Sequence, residues 1–409
     1  MKHFLIIALL FSFSVKGTTI HVGKSYPIKS IKKGIEVAKK GDTLMVHTGL
    51  YKEGNIIIDK KIVFIGKGLP VLDGEKKHEV LSVKADSVVV DGFKVIRSSY
   101  ATITDPCGIK VYNRKYVAIQ NNVLDDNFFG IYLQNCQKCT IKNNSLKAYG
   151  KEEQQLGNGI HCWKSNEILI IGNTIDGHRD GIYFEFVYDS LIWRNISTNN
   201  VRYGLHFMFS HSDTYITNVF ENNGAGVSVM YTKNVKMFNN YFEENWGDSS
   251  HGILLKDITD SYIFNNKFIK NTSAIYMEGA SRNKIEKNVF ISNGWGLKIQ
   301  ASCMDNVIVN NNFFKNTFDI STNGSLVLNT FDSNFWDKYE GYDLDKNGIG
   351  DVPYHPLSLF AVLTESTPSA MLLYRSFMIT LLDKSEKILP SITPDNFLDK
   401  TPLIKSMPL

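Results

Sequence analysis

Between residues 108 and 318 the apolar and polar positions recur with one period. Gly, once Ala, stands at 108, 130, 159, 181, 204, 226, 252, 274 and 296, at intervals of 22, 29, 22, 23, 22, 26, 22 and 22. Such a period with occasional insertions marks a solenoid, in which the insertions fall in loops. The residue after each anchor is aliphatic, from Ile109 and Ile131 through Ile182 and Leu205 to Leu297. Two residues further on come Val111, Leu133, Cys162, Phe184, Phe207, Val229, Leu255, Met277 and Ile299, all apolar. Alternation with period two describes a strand with one buried face.

Fourteen residues after the anchors stand Asn122, Asn144, Asn173, Asn195, Asn218, Asn240, Asn266, Asn288 and Asn310. Asn in every rung predicts a ladder whose side-chain amides bond from rung to rung at a turn. A second, incomplete ladder runs through Asn127, Asn200, Asn223, Asn245, Asn271 and Asn293. Two residues past the main ladder most rungs carry a large apolar residue, such as Phe220, Phe242, Phe268 and Phe290; Ser197 and Asn312 break that column. The pattern predicts an all-β chain: a right-handed parallel β-helix of about 22-residue rungs with Asn-rich corners, stacked about 4.8 Å apart. Leucine-rich repeats have similar periods, but the leucine pattern and the helical half-rung are missing.

Open solenoid ends need covers. In residues 27–40, Ile28, Ile31, Ile35 and Ala38 fall at helical spacing before Gly41, which predicts a capping helix; 18–107 then reads as cap and irregular first rungs, and 108–337 as the regular β-helix. Residues 338–356 form an Asp/Gly loop. There, Asp343, Asp345, Asn347 and Asp351 match the opening of an EF-hand-type calcium loop. Tyr354 stands where the bidentate Glu belongs and no helix flanks the loop, so an Asx turn without metal is the other reading. Residues 357–409 predict a helical tail, rich in apolar residues from Leu359 to Leu382, that covers the solenoid end or meets a membrane partner; 393–409 reads as loosely ordered.

The first 17 residues have the signature of a secretory signal peptide: Lys2 and His3, an apolar run over 4–15, then Gly17-Thr18-Thr19. The run is short for a bilayer span. In a bacterial chain this address means the periplasm. Five cysteines, an odd count, leave at least one unpaired within the chain, and Cys136 and Cys139 form a lone C-x-x-C. A formal net charge of +4 without a basic run gives no electrostatic footprint for nucleic acid.

Function is then sought on outward positions. Four residues after the anchors run Trp163, Glu185, Met208, Met230, Lys256 and Glu278; two residues after them run His161, Tyr183, His206, Ser228 and Leu254. Methionine normally hides from water, yet Met208 and Met230 fall outward in consecutive rungs beside His206. Thioether with imidazole suits Cu(I), and His211 and Glu185 are near enough in the pattern to complete a labile site. The bland reading has these methionines packing under a loop or partner. Met237 and Met277 fall in inward columns, His161 reads as a surface histidine, and His251 sits in an insertion of open direction. The runner-up function is a polysaccharide lyase, hydrolase or epimerase using His178-Arg179-Asp180 and Glu185, but no acidic pair repeats across adjacent rungs.

The run Arg202-Tyr203-Gly204-Leu205-His206-Phe207-Met208-Phe209-Ser210-His211, with Glu221-Asn222-Asn223-Gly224-Ala225-Gly226-Val227 and Val229-Met230-Tyr231, resembles the signature stretch of the NosD family. So do Asn334-Phe335-Trp336-Asp337, Gly341-Tyr342-Asp343 and Asp351-Val352-Pro353-Tyr354. The resemblance implies a non-catalytic periplasmic subunit at the inner membrane. It would work beside an ABC-type ATPase and a permease-like membrane subunit and deliver copper for maturation of nitrous oxide reductase. A copper-chaperone lipoprotein is a further implied partner. The chain has no phosphate-binding loop, so ATP falls to another subunit. Column geometry together with the family motif makes His206, Met208 and Met230 the expected transient copper ligands; Cys136 and Cys139 match nothing in the family pattern.

Overall fold

Aliphatic side chains at every second position cannot be buried by a lone strand, and stacking one rung on the next buries them all. In the computed structural model, which describes residues 17–100, 105–150, 152–324, 328–388 and 397–408, the described strands form three sheets of 14, 12 and 13 strands. The expected signal peptide lies, except for Gly17, outside the described residues. Each rung gives one strand to each sheet, as Tyr203–Met208, Thr214–Ile216 and Val219–Glu221 do. Successive rungs pair in parallel, Leu205 opposite Val227 and Phe207 opposite Val229, with all four side chains fully buried. The chain is a parallel β-helix. Its regularity begins earlier than the anchor glycines: Thr19–Val22, Thr43–His47, Val63–Lys67 and Val89–Asp91 already open the 14-stranded sheet.

The asparagine ladder closes one corner. The Asn218 backbone N–H donates to Asn240 Oδ1 at 3.0 Å, and the Asn240 N–H to Asn266 Oδ1 at 2.9 Å. Its last step departs from the expectation. Asn288 N–H donates to Asn311 Oδ1 at 2.9 Å, so Asn311 rather than Asn310 is the ladder residue. The rung after Gly296 carries one extra residue near the turn at Gln300–Cys303, and Asn310 takes the left-handed bend (φ 56°) just before the ladder. This one-residue shift also brings Phe313 into the aromatic column, 4.5 Å from Phe290 and 4.2 Å from Trp336 between ring centroids. Ser197, the other irregular position, is satisfied inside by bonds to Gly204 O and Asn200 Nδ2.

The N-terminal cap is a helix, Ile31–Val37, whose first turn is closed by Ser30 and by Glu53, which accepts the Ile31 and Lys32 N–H groups at 2.7 and 3.0 Å. It stops four residues before Gly41, because Ala38 is already extended. At the other end, helix Leu359–Ser366 buries Phe360 and Ala361 against the last rungs; Pro368–Leu373 is 3₁₀, and helix Phe377–Ile388 follows. No described helix is long and apolar enough to cross a membrane. Residues 397–408 are not a loose tail. Asp399, fully buried, extends the ladder by accepting Asn334 N–H at 3.0 Å and Trp336 Nε1–H at 3.0 Å. All five cysteines are buried and none is in a disulfide.

Candidate functional site

The outer face of the 12-stranded sheet carries the candidate residues. Because successive side chains alternate, burying Leu205 and Phe207 sends His206 and Met208 outward. Register places Glu185, Met208, Met230 and Lys256 in one column across four rungs, and Tyr183, His206, Ser228 and Leu254 in the next. Met208 and Met230 are half-buried neighbours on consecutive rungs.

His206 is turned from the core but is not on display, being 5 % exposed. The rings of Tyr183 and Tyr203 stand 4.9 and 4.8 Å away, and Asp180 Oδ2 lies 3.5 Å from His206 Nδ1. Asp180, fully buried, receives Arg202 Nε and Nη2 at 2.9 and 2.7 Å, and Arg202 Nη1 reaches Glu153 at 3.0 Å in the insertion after Gly150. Burial pushes the Asp180 carboxyl up, but bonds from His206 and Arg202 outweigh it and hold it below the ordinary carboxylate range. Arg202 Nη2 approaches the same Nδ1 at 3.4 Å, so that nitrogen faces both a carboxylate and a guanidinium. His206 Nε2 is buried without a hydrogen-bond partner.

The remaining candidates divide. Glu185 shares the methionine column; burial raises its pKa, with the His206 and Lys164 charges opposing. His211 lies past the left-handed bend at Phe209, its ring tilted against Tyr188 at 5.5 Å, with Nδ1 accepting the Lys233 N–H at 3.2 Å. It occupies the next facet rather than the strand of Met208. His161 is no surface histidine: Tyr132 and Tyr183 pack on its ring at 4.3 and 4.8 Å, and burial, then Arg179, pushes its pKa down to about 3. His251 lies within strand His251–Lys256, stacked on Tyr276 at 4.9 Å. Asp180, named in the runner-up reading, is paired with Arg202.

One feature beside the methionines escaped the pattern reading. Phe186, Phe209 and Tyr231 stack at 5.3 and 5.0 Å along a corner where each takes a left-handed φ of 50–55°. That conformation is costly for bulky residues, and equivalent corners carry Asn113, Asn135 and Asp257. Phe209 and Tyr231 remain 37 and 39 % exposed. Three consecutive aromatics in a column otherwise made of Asn113, Asn135, Lys164, Asp257 and Gly279 were the available signal.

The Asp/Gly loop closes on its own backbone. Asp343 accepts the Asn347 and Gly348 N–H groups at 3.1 and 2.9 Å, Asp345 that of Asn347 at 3.2 Å, and Asp351 that of Leu344 at 2.7 Å. Tyr354 packs on Trp336 and Tyr339 and supplies no carboxylate at the twelfth position. Among the described residues no three His, Cys, Asp or Glu side chains converge as a metal cluster.

Residues 147–341 match the family model described as periplasmic copper-binding protein (NosD). The matched stretch, somewhat less than half of the chain, spans Glu185, His206, Met208, His211 and Met230 and excludes both caps. The chain is 26 % identical over 373 residues to a probable ABC transporter binding protein NosD of Pseudomonas aeruginosa, covering 86 % of each. It is also 26 % identical over 356 residues to the protein of the same name from Stutzerimonas stutzeri, covering 82 % of this chain and 80 % of that one. Among solved structures, the A-module of mannuronan C-5 epimerase AlgE4 from Azotobacter vinelandii superposes with a TM-score of 0.52 at 15 % identity, covering 71 % of this chain and 86 % of that one. The Streptococcus pneumoniae adhesin PfbA superposes at 0.55 with 11 % identity, covering 74 and 85 %. At such identities an epimerase and an adhesin share the β-helix alone.

Proposed function

We propose that this chain is an exported periplasmic subunit that accepts Cu(I) as cargo on the outer face of the stretch that matches the NosD family. It passes the ion on for maturation of nitrous oxide reductase, beside an ABC-type ATPase and a permease-like membrane subunit. The observation that carries the reading is His206: its Nδ1 faces Asp180 and Arg202 and its buried Nε2 is left without a partner, next to the Met208–Met230 column. A soft thioether pair with one imidazole binds Cu(I) well enough to load and weakly enough to release. Glu185, one rung below Met208 on the same column, and His211, on the next facet, flank the site. The exposed stack of Phe209 and Tyr231 beside the methionines offers the surface on which a copper-chaperone lipoprotein docks. Leu372 and Phe377, 89 and 84 % exposed on the C-terminal cap, face the membrane subunits. No chemistry on a substrate is asked of the chain, in keeping with relatives named as binding proteins.

The test is anaerobic Cu(I) titration of the full-length protein against Met208→Ala/Met230→Ala and His206→Ala. The reading expects each variant to bind at least about tenfold more weakly at this face. Unchanged binding in both sinks it, and turnover of a uronate polymer by the wild type would favour the enzyme alternative.

A further inference from the structure

A second soft-donor cluster stands on the outermost rungs, outside the residues that match the family. Strands Thr19–Val22 and Thr43–His47 pair in parallel with His21 opposite Met45. Val22, Leu44 and Val46 are fully buried, so alternation puts His21, Met45 and His47 together on the outer face. His21 Nδ1 lies 2.9 Å from His47 Nε2. At that distance a single proton bridges the two nitrogens, and one of them already presents a lone pair to the other. Tyr26 folds back over both rings, its centroid 5.1 Å from His21 and 4.2 Å from His47. A tight turn brings it there, with the Tyr26 N–H on Gly23 O at 3.0 Å. Gly23 makes the fit: a Cβ at that position would sit 3.1 Å from His47 Cβ and 3.3 Å from the Tyr26 ring. Tyr51 Oη fixes the other side by donating to His47 O at 2.8 Å.

We propose that His21, Met45 and His47 form a second Cu(I)-binding site, capped by Tyr26. Two imidazoles and a thioether are a three-coordinate set suited to a soft monovalent ion, and a poor one for Ca²⁺ or Mg²⁺. On binding, the rings part and the ion takes the place of the bridging proton, which moves to the other nitrogen of its own ring. Both contact nitrogens then donate to the metal, and no net proton is released. The aromatic ring above shields the ion from water without competing for it. Nothing in this cluster depends on His206 or Met208, so the two sites stand or fall separately.

The experiment uses the full-length protein carrying Met208→Ala/Met230→Ala, which removes the other soft face. Anaerobic titration with Cu(I) against a chromophoric competitor is expected to leave one tight equivalent, with nitrogen and sulfur scatterers in its X-ray absorption spectrum. Adding His21→Gln/His47→Gln, which keeps hydrogen-bonding groups but no imidazole, is expected to abolish that equivalent. Met45→Leu, a change of similar volume on the outer face, is expected to remove the sulfur scatterer and weaken binding at least about tenfold. Should the double Gln variant melt early, Met45→Leu alone decides. A parent that binds no Cu(I), or an equivalent that survives the Gln substitutions with its spectrum unchanged, overturns the proposal. The reading of the Met208–Met230 face fails on a different result, wild-type binding by the parent at both sites.

Discussion

Truncating one rung of the main ladder, Asn240→Ala, tests how the stack is held. Asn240 is 1 % exposed and makes four side-chain bonds. Its Oδ1 accepts the Asn218 backbone N–H and Nδ2–H, each at 3.0 Å, while its Nδ2 donates to Tyr215 O and Asn266 Oδ1, also at 3.0 Å. Asn266 Oδ1 keeps a donor after the change, because the Asn240 backbone N–H still reaches it at 2.9 Å. Two donors on Asn218 lose their acceptor inside a dry wall, and Tyr215 O loses one donor. At about 1–3 kcal/mol for each buried group left unpaired, the two donors alone cost about 2–6 kcal/mol, and about 4 kcal/mol is the expected loss. Asn240→Asp separates donation from acceptance. It still accepts from Asn218 but sets a carboxylate against Tyr215 O and Asn266 Oδ1, so it should recover stability as pH falls and the group protonates. Asp399 shows where an acid is tolerated: at the ladder's end, where it only accepts. The assay is equilibrium unfolding in guanidinium with hydrogen exchange read at the Asn218 amide, since a stacked chain can lose one rung locally. A loss below about 1 kcal/mol with the Asn218 amide still protected would refute the accounting.

Two further substitutions probe buried acids. Asp213 is fully buried with Oδ2 unpartnered, and burial raises its pKa well above the usual range. The folded state thus holds a proton that the unfolded state has lost, so its contribution is best below about pH 4 and declines as pH rises from there; Asp213→Asn should raise the melting temperature at pH 7 and flatten that decline, and an unchanged profile counts against it. Arg202→Met orphans Asp180, whose pKa is lowered in the native protein, so the stability this pair supplies is present at neutral pH and lost as pH falls through the folded value. The variant should lose about 3–5 kcal/mol at pH 7, with the gap to wild type closing in acid, as thermal melts across pH would show.

The inward columns were legible because each has one solution. A side chain at the Asn218 position must accept from the rung below and donate to the rung above, and the centre of the stack must fill with rings such as Phe242 and Phe268, 4.7 Å apart. The one slip, Asn310 for Asn311, arose because counting from the glycine ignores an extra residue between Gly296 and the ladder. Counting back from Phe313 would have found it. The outer face obeys no such rule. Alternation says that His206 leaves the core, but its burial comes from Asp180, Tyr183, Arg202 and Tyr203, side chains whose directions the pattern does not encode. The same gap hid Asp399, which joins the ladder from 65 residues away after two helices. It also hid His21 and His47, which lie 26 residues apart on rungs without an anchor glycine. Soft donors on a β-helix are therefore found by the partners their polar atoms lack or share. At His206 one nitrogen faces Asp180 and Arg202 and the other is left without a partner, and at His21 and His47 one proton bridges the two rings. The first arrangement presents its donor already oriented, whereas the second must open to bind. The difference follows from which side chain stands one rung away, a carboxylate in one place and an imidazole in the other.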